Sequence, residues 1–239
     1  MDKLTRMQKH YRRRILEISF KYKLSHLGSC LSVIDLIISI YETKKADEKF
    51  ILSSGHGGVA LYTVLEKYHR IDAEHLFLKH GVHPNRDEID GIYCSTGSLG
   101  QGLPIALGMA FANKKKNTYC IITDGECAEG SIWESFRIAG DSRVSNLKVI
   151  INANGYGAYG KINVDDLKHR IKSFGWNVVK TNGHNLNRLN NILNKRKDGR
   201  PTAVLAITEV AQLSFLRGID AHYKIMSEDE FKLSMKVLL

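Results

Sequence analysis

The chain has 239 residues, a length that suits one large domain with a sizeable core. Hydrophobic residues make up 43% and charged residues 25%, with only three prolines, which excludes disordered, collagen-like and coiled-coil proteins. The net charge of +10 suits nucleic acid, anionic metabolites or an acidic partner protein. Because no RNP-type or helix-turn-helix pattern accompanies the basic clusters, such as residues 12–14, we interpret them as solvated helix ends and expect no nucleic-acid binding.

Targeting and membrane signals are the next features to consider. No apolar run approaches the ~20 residues that span a bilayer, and the longest one, residues 31–41, is interrupted by Asp35. The basic N-terminus continues into an amphipathic stretch, which is not typical of a signal peptide. The four cysteines form no CxxC pair or metal-finger spacing. We therefore expect a cytoplasmic protein with reduced thiols and no membrane association.

The predicted elements begin with two helices within the first 42 residues, separated by a polar turn at residues 25–29. The second helix, over residues 32–41, is more apolar around its circumference. Short apolar runs then predict strands at residues 50–52, 119–123, 147–152, 176–180 and 202–208. Helical patterns occupy residues 59–68, 102–112, 131–139, 164–174, 186–193 and 228–238. Ser227 and Glu230 form a possible capping box at the start of the last helix.

Apolar strands that alternate with helix-length segments indicate a parallel sheet covered on both faces. The sequence therefore predicts a three-layer α/β/α domain with a mainly parallel sheet. We expect a single domain over residues 1–239, in which residues 1–45 form an N-terminal helical segment and residues 46–239 form the α/β core.

Polar residues follow two of the predicted strands. Asp124, Gly125 and Glu126 come after residues 119–123, and Asn154 lies 30 residues beyond Asp124 in the chain. This spacing is about the length of one βαβ unit, so both side chains should reach the same edge of the sheet. Oxygen ligands of this kind, with a nearby backbone carbonyl, suit Mg²⁺ or Ca²⁺ with phosphate oxygens completing the shell. Either Asp-Gly or Asn-Gly alone is typical of a turn, but the pair at this spacing favours a site.

Glycine-rich loops at residues 53–58 and 95–102 each precede a predicted helix. Such a loop either offers backbone N–H groups to a phosphate or only caps the helix and allows close packing, and the sequence leaves both open. Four of the ten histidines fall in loops, and a functional role is favoured for His56 beside the first glycine loop. We expect four other histidines to occupy ordinary surface or core positions: His69, His75, His80 and His169.

Taken together, these segments resemble the N-terminal half of transketolases, the domain that binds the diphosphate of thiamine diphosphate. The resemblance rests on Ile-Leu-Ser-Ser-Gly-His at residues 51–56, Ser-Thr-Gly-Ser-Leu-Gly-Gln-Gly at residues 95–102, and Asp124-Gly125 followed by Asn154. It covers about residues 25–231. The 95–102 segment is its most specific part and favours transketolases over deoxyxylulose-phosphate synthases. The implied fold is the thiamine-diphosphate-binding fold.

The resemblance implies a role for each matching residue. Mg²⁺ (or Ca²⁺) would be held by the side chains of Asp124 and Asn154 and by the carbonyl of Tyr156. The residues expected to bind the cofactor are His56, Gly97, Leu99, Gly125, Glu126 and Asn154, with Gly125 at the diphosphate and Gly97 and Leu99 at the aminopyrimidine ring. The histidines expected to line the substrate channel and handle hydroxyl protons are His26, His56, His83 and His222. Glu129 would link two active sites across a dimer.

The sequence departs from the family pattern at two places. Thr123 stands where a glycine usually precedes Asp-Gly, and Glu-Val-Ala-Gln at residues 209–212 replaces a Lys-Gly-rich loop, which predicts an altered contact there. His222 is aligned across that divergent stretch.

The resemblance also implies a partner. The family's pyrimidine-binding domain has no room within 239 residues, so we expect a separate C-terminal pyrimidine-domain subunit, with a homodimer of this chain inside an α2β2 heterotetramer. The expected activity is transfer of a two-carbon ketol unit between sugars, with sugar phosphates as the favoured substrates. The alternatives are a component of a two-subunit 2-oxo acid dehydrogenase or decarboxylase, and a non-catalytic binding protein on the same fold.

Overall fold

A computed structural model describes residues 4–157, 160–195 and 198–238, except for the side chains of residues 219 and 220. Its strands are β1 (Lys49–Leu52), β2 (Thr118–Thr123), β3 (Leu147–Ala153), β4 (Tyr156–Gly157), β5 (Gly160–Lys161), β6 (Asn177–Asn182) and β7 (Thr202–Ile207). Five of them form one sheet in the order β1-β2-β3-β7-β6, and every neighbouring pair in it is parallel. Strands β4 and β5 form a separate antiparallel hairpin.

The described helices are α1 (Arg6–Lys21), α2 (Leu27–Thr43), α3 (Gly58–His69), α4 (Ala73–His80), α5 (Gly102–Ala112), α6 (Gly130–Asp141), α7 (Val164–Ser173), α8 (Leu186–Leu193) and α9 (Glu228–Val237). Short 3-10 helices lie at Gly55–Gly57, Gly125–Ala128 and Gly218–His222. The predicted capping box of α9 is confirmed, because Ser227 Oγ accepts from Glu230 N and Glu230 Oε2 accepts from Ser227 N.

Alternating residues of the strands face two apolar layers, as the period of a pleated strand requires. Ile150 of β3 packs with helices α1, α2 and α3 on one face of the sheet. Its neighbours Val149 and Ile151 pack with α5, α6 and α7 on the other face. This arrangement confirms the predicted three-layer α/β fold with a parallel sheet. Helices α1 and α2 belong to the same apolar cluster as the strands.

Helix α2 lies in the interior and carries a buried charge. Asp35 is 0% exposed, and the guanidinium of Arg12 binds both of its carboxylate oxygens, at 2.9 and 2.6 Å. A buried ion pair needs such close geometry, because both charges give up their hydration. The interpretation of residues 12–14 as a solvated basic cluster is therefore wrong for Arg12. Its charge neutralises a carboxylate that interrupts an otherwise apolar helix.

Two elements lie outside the sequence prediction. Helix α4 has only eight residues, begins where Asp72 Oδ1 accepts from His75 N, and ends at Gly81, whose φ is 76°. The β4–β5 hairpin contributes two residues to each strand, too few for a recognisable alternation. No helix within the described residues is both long and apolar enough to cross a bilayer.

Candidate functional site

The carboxyl ends of the parallel strands bring the predicted loops to one edge of the sheet. Thr123 and Asn152 are register partners in the β2–β3 pair, so Asp124 and Asn154 follow neighbouring strands. Asp124 is almost completely buried, and its Oδ2 accepts from Gly155 N at 2.6 Å while its Oδ1 accepts from Gly125 N at 3.0 Å. Asn154 Oδ1 accepts from Tyr156 N at 3.0 Å. The two loops therefore meet as the 30-residue spacing predicts.

The expected metal ligands form a set of oxygen donors. A Cβ atom on Gly125 would lie 3.4 Å from the Tyr156 carbonyl oxygen and 3.1 Å from Gly157 Cα, so the glycine allows the two loops to approach. Burial raises the pKa of Asp124 to about 6. A carboxylate, an amide oxygen and a carbonyl are hard ligands that suit Mg²⁺ or Ca²⁺. The residues present fit a divalent cation.

Glu126 ties three loops together from inside the protein. Its carboxylate is 0% exposed and accepts from Ser53 Oγ, from Gly100 N at 2.8 Å and from Thr123 N at 3.4 Å. Burial raises the pKa of this carboxyl group. The structure thus places the Glu126 side chain beneath the glycine-rich loops, where it supports their conformation.

Thr123 is accommodated by the same carboxylate. Its φ is not positive, so a β-branched residue fits the end of β2 without strain. Thr123 Oγ1 accepts from Glu126 N at 3.1 Å, while Thr123 N donates to Glu126 Oε2. This reciprocal pair has the form of a capping box. The threonine stabilises the turn that leads to Asp124.

The glycines of the two predicted loops allow close backbone packing. A Cβ on Gly55 would lie 2.6 Å from the carbonyl of Thr96, and one on Gly102 would lie 2.5 Å from Ser53 Cβ. Gly100 N and Gly102 N already donate to Glu126 and to Ser53 Oγ. The sequence leaves two roles open for these loops, phosphate binding or helix capping with close packing. The amides of Gly100 and Gly102 serve the second role, because they are already bonded within the protein. Thr96 Oγ1 is buried and has no hydrogen-bond partner among the described residues, which suits a polar ligand at this loop.

All four histidines predicted for the substrate channel gather in one cluster. The ring centroid of His26 lies 4.3 Å from that of His222, 5.5 Å from that of His56 and 6.5 Å from that of His83. His56 and His222 are 5.2 Å apart. The ring of His222 therefore lies beside those of His26 and His56 despite the divergent residues 209–212. We call these four residues the histidine cluster. It lies at the same edge of the sheet, because His56 comes directly after β1.

The surroundings of His26, His56 and His222 favour neutral imidazoles. Burial, followed by the charges of neighbouring imidazoles, lowers the pKa of His26 to about 4 and that of His56 to about 3. Burial also lowers the pKa of His222. The Nδ1 atom of His26 is buried without a partner among the described residues. At physiological pH the rings of His26 and His56 are therefore neutral, and each keeps a nitrogen lone pair that can accept a hydrogen bond from a hydroxyl group.

His26 adopts an unusual backbone conformation at the start of α2. Its φ of 63° lies in the left-handed region, which a non-glycine residue occupies only when its surroundings hold it there. The His26 N–H donates to the His222 carbonyl at 2.8 Å, and the His26 carbonyl accepts from Cys30 N at 3.0 Å. The backbone thus joins two members of the histidine cluster directly.

The remaining predicted residues lie around these groups. Gly97 has a φ of 139°, and a Cβ there would lie 2.7 Å from the ring of His83. Leu99 is half-buried in the second glycine loop. Glu129 is exposed, begins helix α6 and has no side-chain partner among the described residues. Their cofactor and dimer roles stay predictions.

No role was predicted from the sequence for His184 or for the serines of α2. His184 Nδ1 lies 2.7 Å from Asp35 Oδ2, and Ser32 Oγ accepts from Asn152 Nδ2 at 3.0 Å. The sequence does contain a signal for a polar stripe on this helix. Ser29, Ser32 and Asp35 are polar residues spaced three positions apart in an otherwise apolar helix.

A second acidic cluster occurs beyond this site. His80, Asp87 and Asp90 could hold a cation by their spacing, but Lys79 Nζ lies 2.7 Å from both aspartates. The ammonium group already supplies the positive charge. His80 is buried and paired with Asp90 at 2.8 Å, as a core histidine would be.

The fold and the edge loops define an α/β domain with a candidate ligand site at the carboxyl edge of its sheet. Residues 9–238 match the family described as "Transketolase, thiamine diphosphate binding domain". The chain belongs to this family, so the predicted family and its thiamine diphosphate cofactor are confirmed.

Relatives along most of the chain are named as transketolase subunits. The chain is 32% identical over 255 residues to the 6-deoxy-6-sulfo-D-fructose transketolase subunit of Clostridium sp. (strain MSTE9), covering 95% of this chain and 93% of that one. It is 33% identical over 198 residues to an apulose-4-phosphate transketolase subunit of Phocaeicola vulgatus, covering 72% and 69%. These matches confirm the predicted function as a transketolase subunit, and hence a transferase.

A solved transketolase shares the fold. The transketolase of Campylobacter jejuni superposes with a TM-score of 0.84 at 24% identity, over 98% of this chain and 42% of that one. The chain thus spans about two fifths of the length of this structure.

We predict that Glu126→Ala lowers the free energy of unfolding by about 2–4 kcal/mol, because three buried donors lose their acceptor. Urea denaturation of the isolated chain, followed by circular dichroism, measures this change. Glu129→Ala is the matched control, since this nearby glutamate is exposed, and it should change stability by less than about 0.5 kcal/mol. Equal stability of the two variants would contradict the supporting role of Glu126.

The lowered pKa values of His26 and His56 predict a pH-dependent stability. Below pH 6.5 the two imidazoles take up protons in the unfolded chain but stay neutral in the folded chain until the pH approaches their lowered pKa values. Protonation therefore favours the unfolded state. The stability that the neutral rings contribute above pH 6.5 is lost as the pH falls. We expect the free energy of unfolding to fall by about 2 kcal/mol more between pH 7 and pH 5 in the wild type than in a His26→Asn, His56→Asn variant. Parallel pH profiles would exclude the lowered pKa values.

Proposed function

We propose that this chain is the diphosphate-binding subunit of a two-polypeptide transketolase, which transfers a two-carbon ketol unit between sugars together with a pyrimidine-domain subunit. The observation that carries the proposal is the convergence of two sets of groups at one sheet edge. The Asp124–Asn154 pair follows β2 and β3, and the histidine cluster begins in the loop after β1. A metal-diphosphate site and a proton-handling site beside each other are what this reaction needs.

The chain's own residues would divide the work as follows. Asp124, Asn154 and the Tyr156 carbonyl would hold Mg²⁺ (or Ca²⁺), and Gly125 would let the backbone approach the diphosphate. Thiamine diphosphate, when bound, supplies the carbanion stabilisation. His26 and His56, whose rings lie 5.5 Å apart, would bind sugar hydroxyl groups and handle their protons.

Helix α5 supports the proposed partner. Its sequence is apolar on every side, yet Ile105 is 39% and Phe111 is 38% exposed. A helix that is hydrophobic all round is normally buried, so we propose that another polypeptide covers this face. Glu129, at the start of the adjacent helix α6, would then reach a second active site. We propose a homodimer of this chain within an α2β2 heterotetramer.

The proposed substrates are anionic sugars, with sugar phosphates favoured. Two relatives are named for 6-deoxy-6-sulfo-D-fructose and apulose-4-phosphate, both of which carry a negative group. The net charge of +10 supports attraction of such substrates. The four cysteines are free and buried, which supports the proposed cytoplasmic location.

We predict that Asp124→Asn and Asn154→Ala each weaken Mg²⁺-dependent binding of thiamine diphosphate by at least about a hundredfold, because the first removes the charge of a ligand and the second removes an oxygen ligand from an octahedral shell. Titration calorimetry on the chain mixed with its partner subunit measures the affinity. Asp166→Ala, an exposed aspartate of α7, is the matched control and should bind normally. Wild-type affinity in both site variants would refute the metal assignment.

The proposed split predicts that the purified chain is inactive alone. Two-carbon transfer should appear when a pyrimidine-domain subunit is added, and light scattering should then give the mass of two copies of each chain. A mixture containing Phe111→Glu should assemble poorly, since a charge would be buried at the α5 face. Full ketol transfer by the chain alone would overturn the two-polypeptide proposal.

A further inference from the structure

The segment between β7 and α9 carries His222 and contains the divergent residues 209–212. Both backbone polar groups of Glu209 are held by side chains. The Glu209 N–H donates to His184 Nε2 at 3.0 Å, and the Glu209 carbonyl accepts from Gln212 Nε2 at 2.8 Å. The Glu209 side chain itself is exposed. The segment is therefore fixed through its backbone at the first divergent position.

Both of these side chains are anchored on the buried Arg12–Asp35 pair. His184 Nδ1 lies 2.7 Å from Asp35 Oδ2, and Gln212 Oε1 accepts from Arg12 Nε at 2.8 Å. Because a backbone N–H can only donate, His184 Nε2 must accept, and the ring proton therefore lies on Nδ1 and points to Asp35. One ion pair thus contacts both side chains that hold Glu209, and the Leu31 carbonyl of α2 also accepts from Gln212 Nε2 at 2.6 Å.

Helix α2 is also linked to the segment at two further points, once through Asn152 of β3 and once directly. Ser32 Oγ accepts from Asn152 Nδ2, and Asn152 Oδ1 in turn accepts from Thr208 Oγ1. One turn earlier, Ser29 Oγ lies 3.4 Å from His222 Nδ1. Ser29, Ser32 and Asp35 therefore form a polar stripe on α2 that contacts the end of the segment at His222 and is linked to its beginning through Asn152 and His184.

We propose that the Arg12–Asp35 pair, acting through His184 and Gln212, positions residues 208–222 and so places the ring of His222 in the histidine cluster. His184 and Gln212 are positioning residues in this proposal. A buried ion pair is a weak source of stability, because an apolar replacement of similar volume is often as stable. Here the pair supplies orientation. The effect on catalysis rests on the proposed function, whereas the placement of the segment does not.

Limited trypsin digestion tests the placement without any activity assay. Arg217 is exposed within the segment, and cleavage after it requires the segment to open. We expect His184→Ala and Gln212→Ala to speed this cleavage about tenfold, since each removes an anchor of Glu209. His184→Gln should cleave at the wild-type rate, because its amide can donate to Asp35 and accept from Glu209.

His80→Ala is the matched control for general loosening, since it also removes a buried histidine bonded to an aspartate. It should leave the rate of cleavage after Arg217 unchanged. Wild-type cleavage rates in both His184→Ala and Gln212→Ala would overturn the proposal. So would equal acceleration by His80→Ala.

A double-mutant cycle in the reconstituted enzyme tests the link to His222. We expect His184→Ala to lower kcat about tenfold in the wild-type background and to have little further effect in a His222→Ala background, because it acts through that ring. Fully additive effects would refute this link. If the wild-type mixture shows no ketol transfer, the proposed function fails, while the digestion result still decides whether His184 and Gln212 hold the segment.

Discussion

The buried carboxylate of Glu126 is the interaction on which the candidate site depends. It joins the loop after β1 at Ser53, the second glycine loop at Gly100 and the end of β2 at Thr123. Parallel strands bring these loops to one edge but do not fix their conformations. A single acceptor shared by three loops fixes them relative to one another. The glycines then allow the backbones to pack at distances that a Cβ would prevent.

Much of the fold follows from the sequence because its strands are continuous apolar runs. A strand covered on both faces is recognisable without knowledge of its neighbours, and so are the long helices between strands. Helix α4 and the β4–β5 hairpin were not predictable in this way, since eight residues and two-residue strands give too little periodicity. The meeting of Asp124 with the Asn154 loop was predictable, because one βαβ unit fixes the distance along the chain.

The roles of Arg12, Glu126 and His184 could not be predicted from spacing. Each is a charged or polar residue whose partner lies far away in the sequence, as with Gly100, 26 residues from Glu126, or Asp35, 149 residues from His184. A local pattern assigns a basic residue such as Arg12 to the surface, where most such residues occur. Only the packed structure shows that the charge of Arg12 is internal. The Thr123–Glu126 pair is the local part of these contacts, because its three-residue spacing is that of a capping box.

The buried carboxylates of Asp35, Asp124 and Glu126 differ in how they are neutralised. Asp35 has Arg12 as a permanent counterion, and hydrogen bonds from Arg12 and His184 lower its pKa despite burial. Asp124 and Glu126 accept from neutral backbone and hydroxyl groups, and no basic side chain within the described residues forms an ion pair with either. Their pKa values are raised because burial is not offset by a positive charge. A divalent cation held by Asp124, as we propose, would supply that positive charge and would favour the ionised carboxylate.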